Sequence, residues 1–329
     1  MNRVIRFISS RSFAKRVMVL GDDRSPLTRR SYRATSRFCN VSSFSTELLE
    51  LNSENPTLHV VFIPGNPGIV SYYKDFVEDL YQRLEEKVSV TAIGHISHTG
   101  KDRENGKIFS LQDQINHKVD FFKQEFQKKE IPIIMVGHSI GSYICLEILR
   151  QVKHQVKLTV GLYPFITLNK DSLKQRMIGV TAMSSFLSIA ISLLASFLGS
   201  APSWIKSTLV RRCIGRSWSS TAVDATCSDL LKYHTIRNVL YMANTEFKKL
   251  SDDPDLAFMR RTKHKISFLF GIDDHWGPSS VFEVVSKQVP DISLSIEKDG
   301  HSHSFCCTEG GSLWVAKHVA NLIKKTSVE

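Results

Sequence analysis

Short β-branched and aromatic runs alternate along this chain with segments whose apolar positions recur every three or four residues. His59-Val60-Val61-Phe62-Ile63, Val88 to Ile93, Ile133 to Val136, Lys157 to Leu162, Lys265 to Phe270 and Ile292 to Ile296 read as buried strands. Thr46 to Leu51 suits an edge strand, and order is expected to begin near it. Tyr72 to Leu84 places Tyr73, Phe76, Val77, Leu80 and Leu84 along one side of a helix. Leu111 to Phe126 repeats that spacing with Ile115, Val119 and Phe122, and further helices are predicted over Ser142 to Val152 and Gly311 to Lys324. Apolar strands that alternate with helices define an α/β protein, a mostly parallel sheet with helices on both faces. The alternation breaks between Leu162 and Lys265. A mainly helical insertion, about residues 165–262, is expected there as a cap over the carboxyl ends of the strands.

One strand leads straight into chemistry. Ile133 to Val136 runs into Gly137-His138-Ser139-Ile140-Gly141, and helical spacing begins directly afterwards. A Gly-x-Ser-x-Gly string between strand and helix is the sequence form of a nucleophile elbow, in which small neighbours let the chain pass a strained serine. It predicts the α/β-hydrolase fold with Ser139 as nucleophile. In that fold the acid and then the base follow the serine along the chain. Asp273-Asp274 follows the glycine that closes a late strand, and His301-Ser302-His303 lies between the last strand and the last helix. His275 is too close in sequence to the acid to serve as its base. An oxyanion formed at Ser139 needs two backbone donors. The Ile140 amide is one; Asn66, in the Pro64-Gly65-Asn66-Pro67-Gly68 loop, is chosen for the other, since Pro67 carries no N–H.

Competing chemistries find less support. His95 and His98 lack a carboxylate or cysteine cluster at ligand spacing, so they read as loop histidines lining the cleft. Gly65 and Gly68 are not followed by Gly-Lys-Ser/Thr, which excludes a phosphate-binding loop. No cofactor or metal is expected. Six scattered cysteines without a Cys-x-x-Cys pair read as thiols of a reducing compartment.

The net charge is +11, and much of the excess lies in residues 1–44, where Arg3, Arg6, Arg11, Lys15, Arg16, Arg24, Arg29, Arg30, Arg33 and Arg37 face Asp22 and Asp23. Interspersed serines and the lack of an apolar core give this segment the composition of a mitochondrial or plastid transit peptide, or of a basic tail. A nucleic-acid arm is disfavoured because no recognition module accompanies it. The hydrolase domain is accordingly expected over residues 45–325.

Within the expected cap, Met177 to Ile205 contains no charged residue. Lys170, Lys174 and Arg176 precede the stretch, and Lys206, Arg211, Arg212 and Arg216 follow it. Basic flanks at both ends contradict a simple span under the positive-inside rule. A hairpin or shallow insertion at a lipid surface, about Met177–Trp204, satisfies both flanks, with a buried cap helix as the alternative.

Phe62-Ile63-Pro64-Gly65-Asn66-Pro67-Gly68 with Tyr72, Tyr73 and Phe76 resembles the lipid-droplet-associated hydrolase family. Gly94-His95 with His98, Leu111-x-x-Gln114-Ile115-x-His117-Lys118, Gly137 to Tyr143, Asp274 with Trp276, and His303 with Phe305 extend the resemblance over about Leu58 to Ile323. It implies Asp274 as the acid and His303 as the base, with Asp273 and His301 open as alternatives. It further implies a serine hydrolase cleaving lipid esters, sterol esters among them. The expected location is the cytosolic face of lipid droplets or endoplasmic reticulum. The competing reading is a non-enzymatic droplet-surface protein that keeps the hydrolase scaffold. The Arg-rich N-terminus departs from the family pattern, as does Asp273-Asp274-His275 around the acid.

Overall fold

Residues 32–126, 130–152, 155–213 and 215–328 are described by a computed structural model. The first half places β1 (Thr35–Val41), β2 (Phe44–Leu51), β3 (Leu58–Ile63), α1 (Lys74–Arg83), β4 (Val88–Ile93) and α2 (Leu111–Phe126) in order. There follow β5 (Ile133–His138), α3 (Ile140–Val152) and β6 (Val156–Leu162). The insertion contains α4 (Leu173–Met183), α5 (Ser185–Gly199), α6 (Ser203–Cys213), α7 (Ser220–Ala225), α8 (Tyr233–Lys249) and α9 (Leu256–Thr262). The chain then returns through β7 (Ile266–Gly271), α10 (Ser279–Gln288), β8 (Ser293–Glu297) and α11 (Glu309–Val328).

The eight strands form one sheet in the order β1-β2-β4-β3-β5-β6-β7-β8. The β1–β2 and β2–β4 pairs are antiparallel and all later pairs are parallel. Alternate residues of β3 serve opposite layers, as a two-residue side-chain period requires. Val60 and Phe62 pack with Phe76 and Leu80 of α1 and Val319 of α11. Val61 and Ile63 pack with Ile115 and Phe122 of α2 and Ile144 of α3. Each such fully buried side chain contributes about 1.5–3 kcal/mol. Both faces are therefore dry, which explains why the central strands are apolar without alternation.

Order starts earlier than residues 45–46. Strand β1 lies inside the segment assigned to a tail, and its register runs from Thr35 opposite Glu50 to Val41 opposite Phe44. Its side chains are mostly exposed, with Val41 its buried one, so no apolar periodicity announces it. Main-chain pairing holds it, helped by two guanidinium nitrogens of Arg37 that donate to both carboxylate oxygens of Glu50. The transit-peptide or tail assignment for residues 1–31 lies outside the described residues.

Candidate active site

The elbow forms where β5 hands over to α3. Ser139 sits at φ 54°, in the left-handed region that costs most residues energy. Its amide donates to the carbonyl of Leu162 at 2.9 Å, and its carbonyl accepts from Ser142 at 3.0 Å and Phe165 at 3.2 Å. These bonds to β6 and α3 hold the turn against its strain. The flanking glycines are a matter of space: a Cβ on Gly137 would lie 2.3 Å from the carbonyl oxygen of Gly141, and one on Gly141 2.3 Å from that of Ile63.

Ser139, His303 and Asp274 converge on one point. His303 Nε2 lies 2.9 Å from Ser139 Oγ, and its Nδ1 lies 2.8 Å from Asp274 Oδ2. The other carboxylate oxygen of Asp274 accepts from the Trp276 amide at 2.9 Å. The loop after β7 thus turns Asp274 inward while Asp273 stays exposed. His301 packs beside the Trp314 ring instead of approaching Ser139. His275 is likewise outside the hydrogen-bond chain, its ring tilted at 43° to that of Trp276, and its carbonyl accepts from Gln175 Nε2 of α4 at 2.8 Å.

A second hydrogen-bonded chain runs beneath the first. The Gly65 amide donates to the Tyr73 hydroxyl at 3.1 Å, which meets His138 Nδ1 at 2.7 Å. His138 Nε2 lies 2.9 Å from the carbonyl of His303. The donors are consistent if Tyr73 donates to Nδ1 and a neutral His138 donates from Nε2. Burial pushes the His138 imidazole well below its ordinary pKa, which keeps it neutral. Sequence spacing makes Tyr73 a core-facing helix residue and assigns His138 no role of its own. The tie between the Pro64–Gly68 loop and the His303 loop is long-range, and no local signal announces it.

With the Gly65 N–H taken, the Asn66 and Ile140 amides stay as candidate oxyanion donors. Ile140 opens α3, where an amide has no acceptor within its own helix. His95 and His98 do not line the cleft as expected. Both are buried beside Gly68, whose amide donates to His98 Nδ1 at 2.9 Å. Burial lowers both imidazoles' pKa values, that of His98 to about 3, so they support the loop as neutral groups.

Above Ser139 lies a cavity of about 350 Å³, walled by Phe165, Ile178, Leu240, Phe247 and Trp276 among others. Its outer wall is the cap. α4 and α5 meet at 92°, and together they have the length and composition of a broken span. No single helix among the described residues is long and apolar enough to cross a membrane. Ile178 of α4 lines the cavity, while Met177, Val180 and Met183 on the same helix are exposed. The exposed face continues through Phe186 (78 %), Phe197 (74 %) and Trp204 (72 %). A patch of this kind on a folded protein marks an interaction surface. Of the basic flanks, Lys174, Arg176, Arg211, Arg212 and Arg216 are exposed. Lys206 turns inward, donating to the carbonyls of Gly199 at 3.3 Å and Cys227 at 3.2 Å.

Sheet order, elbow and cap define an α/β-hydrolase. Solved structures agree on the fold. A haloalkane dehalogenase from Agrobacterium tumefaciens aligns with a TM-score of 0.68 at 10 % identity, covering 89 % of this chain and 97 % of that one. A soluble variant of monoglyceride lipase from Saccharomyces cerevisiae aligns with a TM-score of 0.62 at 14 % identity, covering 92 % and 98 %. Residues 56–306 match the family described as lipid-droplet associated hydrolase, and the chain belongs to that family. Relatives of that name include one from Gallus gallus, 28 % identical over 263 residues, covering 76 % of this chain and 80 % of the relative. Another, from Dictyostelium discoideum, is 29 % identical over 273 residues, covering 79 % and 86 %.

Proposed function

We propose that this protein is a serine hydrolase that cleaves carboxylic esters of lipids at the surface of a lipid droplet or of the endoplasmic reticulum. The observation that carries the reading is the Ser139–His303–Asp274 hydrogen-bond chain at the floor of an apolar cavity. Ser139 Oγ attacks the ester carbonyl as His303 Nε2 takes its proton, and Asp274 holds the imidazole with Nδ1 protonated. The negative charge that develops on the carbonyl oxygen is met by the Ile140 and Asn66 amides. The tetrahedral adduct collapses when His303 returns the proton to the departing alcohol. Water then attacks the acyl-serine by the same route.

The exposed α4–α5 face supports a lipid interface as the place of work. Lipid substrates, sterol esters among them, suit an apolar cavity whose wall is shared with that face. The names of the family relatives point the same way. A fluorophosphonate probe tests the chemistry: it should label the wild type and fail on Ser139→Ala. An unlabelled wild type, beside a control hydrolase that reacts, overturns the enzyme reading. The α4–α5 face would then favour a droplet-surface protein without turnover.

A further inference from the structure

The side chain of Asn66 reaches across to the cap. Its Nδ2 donates to the carbonyl of Val239 at 2.9 Å and to Glu246 Oε1 at 3.0 Å, both on α8. Glu246 is 3 % exposed and lines the cavity above Ser139. Elsewhere α8 is tied to the loop before α2 and to the start of α2: Asn238 Oδ1 accepts from the Phe109 amide and Thr245 Oγ1 from the Leu111 amide, each at 2.9 Å. The two Asn66 bonds reach the loop facing the elbow, and of their acceptors Glu246 is the side chain.

We infer that Glu246 is a positioning residue: through the Asn66 side chain it fixes the Asn66 amide where an oxyanion at Ser139 would form. This rests on the reading of Ser139 as nucleophile and Asn66 as donor. A backbone donor is useful in proportion to its preorganisation, because its dipole must already point at the charge that develops. Loop Pro64–Gly68 is held from below by the Tyr73 and His98 bonds to Gly65 and Gly68. Asn66, which lies between them, is held from above by α8.

A carboxylate this close would oppose a developing oxyanion. Burial pushes the Glu246 carboxyl up to about 8, so it is mainly the neutral acid near pH 7. Tyr73, His138, His303, Cys306 and Cys307 share the cavity with it. The charged groups of the adjoining helices, Lys174 and Arg176 on α4 and Lys248 and Lys249 on α8 itself, are exposed. Among the described residues nothing pairs Glu246 with a cation. That suits an acid used as a neutral hydrogen-bonding group, and an ion-pair role would need such a partner.

Steady-state hydrolysis of p-nitrophenyl butyrate by the full chain tests the inference. Glu246→Ala should lower kcat by about 10- to 100-fold, less than outright removal of an oxyanion donor, with KM within about threefold. Glu246→Gln, whose amide oxygen accepts the same bond, should recover most of the loss. Asn66→Ala, which also gives up the Val239 bond, should lose at least as much as Glu246→Ala, and the double variant should be no worse than Asn66→Ala alone. Hydrogen exchange at residues 64–68 should quicken in Glu246→Ala. Unchanged kcat in Glu246→Ala, no recovery in Glu246→Gln, or losses that simply multiply in the double variant would overturn the assignment. If Glu246→Ala does not fold, the contrast between Asn66→Ala and Glu246→Gln carries the same decision. A wild type inert to both ester and fluorophosphonate overturns the hydrolase reading and this one together. An active wild type beside an indifferent Glu246→Ala overturns this one alone.

Discussion

The Tyr73 hydroxyl lies 2.7 Å from His138 Nδ1 and also accepts the Gly65 amide at 3.1 Å, so one phenol joins the glycine-rich loop to the elbow. His138 passes the connection on to the carbonyl of His303. Tyr73→Phe keeps the ring among Phe62, His138 and Phe305 but leaves two buried polar groups unpaired. Orphaned groups of this kind cost about 1–3 kcal/mol each. Urea denaturation should show a loss of about 2–6 kcal/mol with an unchanged slope. A midpoint equal to the wild type's would mean that the phenol is not a structural link.

The acid and base choices separate cleanly by substitution. Asp274→Asn should lower kcat by about 10⁴-fold, because the amide favours the wrong imidazole tautomer. Asp273→Asn should stay within about twofold, since that carboxylate is exposed. His303→Ala should remove fluorophosphonate labelling and His301→Ala should retain it. Comparable losses in both members of either pair would break the geometric assignment.

The central sheet and the elbow were legible because their signals are local. A run such as Ile133 to Val136 reads as a strand wherever it stands, and the Gly137–Gly141 spacing is visible in the string itself, although Gly141 answers to the Ile63 carbonyl on a neighbouring strand. Asp273 and Asp274 were harder, because adjacent residues in a turn differ only in where the backbone aims them. Strand β1 was missed since its pairing partner, not its composition, makes it a strand. Glu246 gave no sign either. It stands in an ordinary amphipathic helix beside Asn244 and Thr245, and its partner Asn66 is 180 residues away.

Phe186 and Phe197 on α5 project from the cap among Leu193 and Leu194. Inserting a phenyl side chain into lipid is worth about 1.5–3 kcal/mol. Phe186→Asp with Phe197→Asp should therefore cut partition onto triolein emulsions coated with phospholipid by at least about 100-fold. Thermal stability should hardly change, because neither side chain contributes to the core. Flotation of emulsion-bound protein measures the first and a melting curve the second. Undiminished flotation would rule α5 out as the contact.

Glu246 also makes stability depend on pH. Its carboxyl has an ordinary value of 4.5 and about 8 in the folded protein. Between these limits the folded state holds a proton that the unfolded state has released. Stability therefore falls as pH rises through this window, by up to about 1.4 kcal/mol per pH unit from this group. The buried imidazoles of His95, His98, His117 and His138 act oppositely, since their folded values are lowered, but their contribution changes mainly below about pH 6.5. Lys118, also lowered by burial, adds stability as pH rises toward its unfolded value. These background terms are common to wild type and Glu246→Gln, so the difference between the two isolates residue 246. Across pH 5 to 8, urea midpoints should show Glu246→Gln gaining on the wild type steadily, with the gap levelling off above about pH 8. A gap that does not change with pH would mean that Glu246 is ionised in the folded protein, and its role as a neutral clamp on Asn66 would fall.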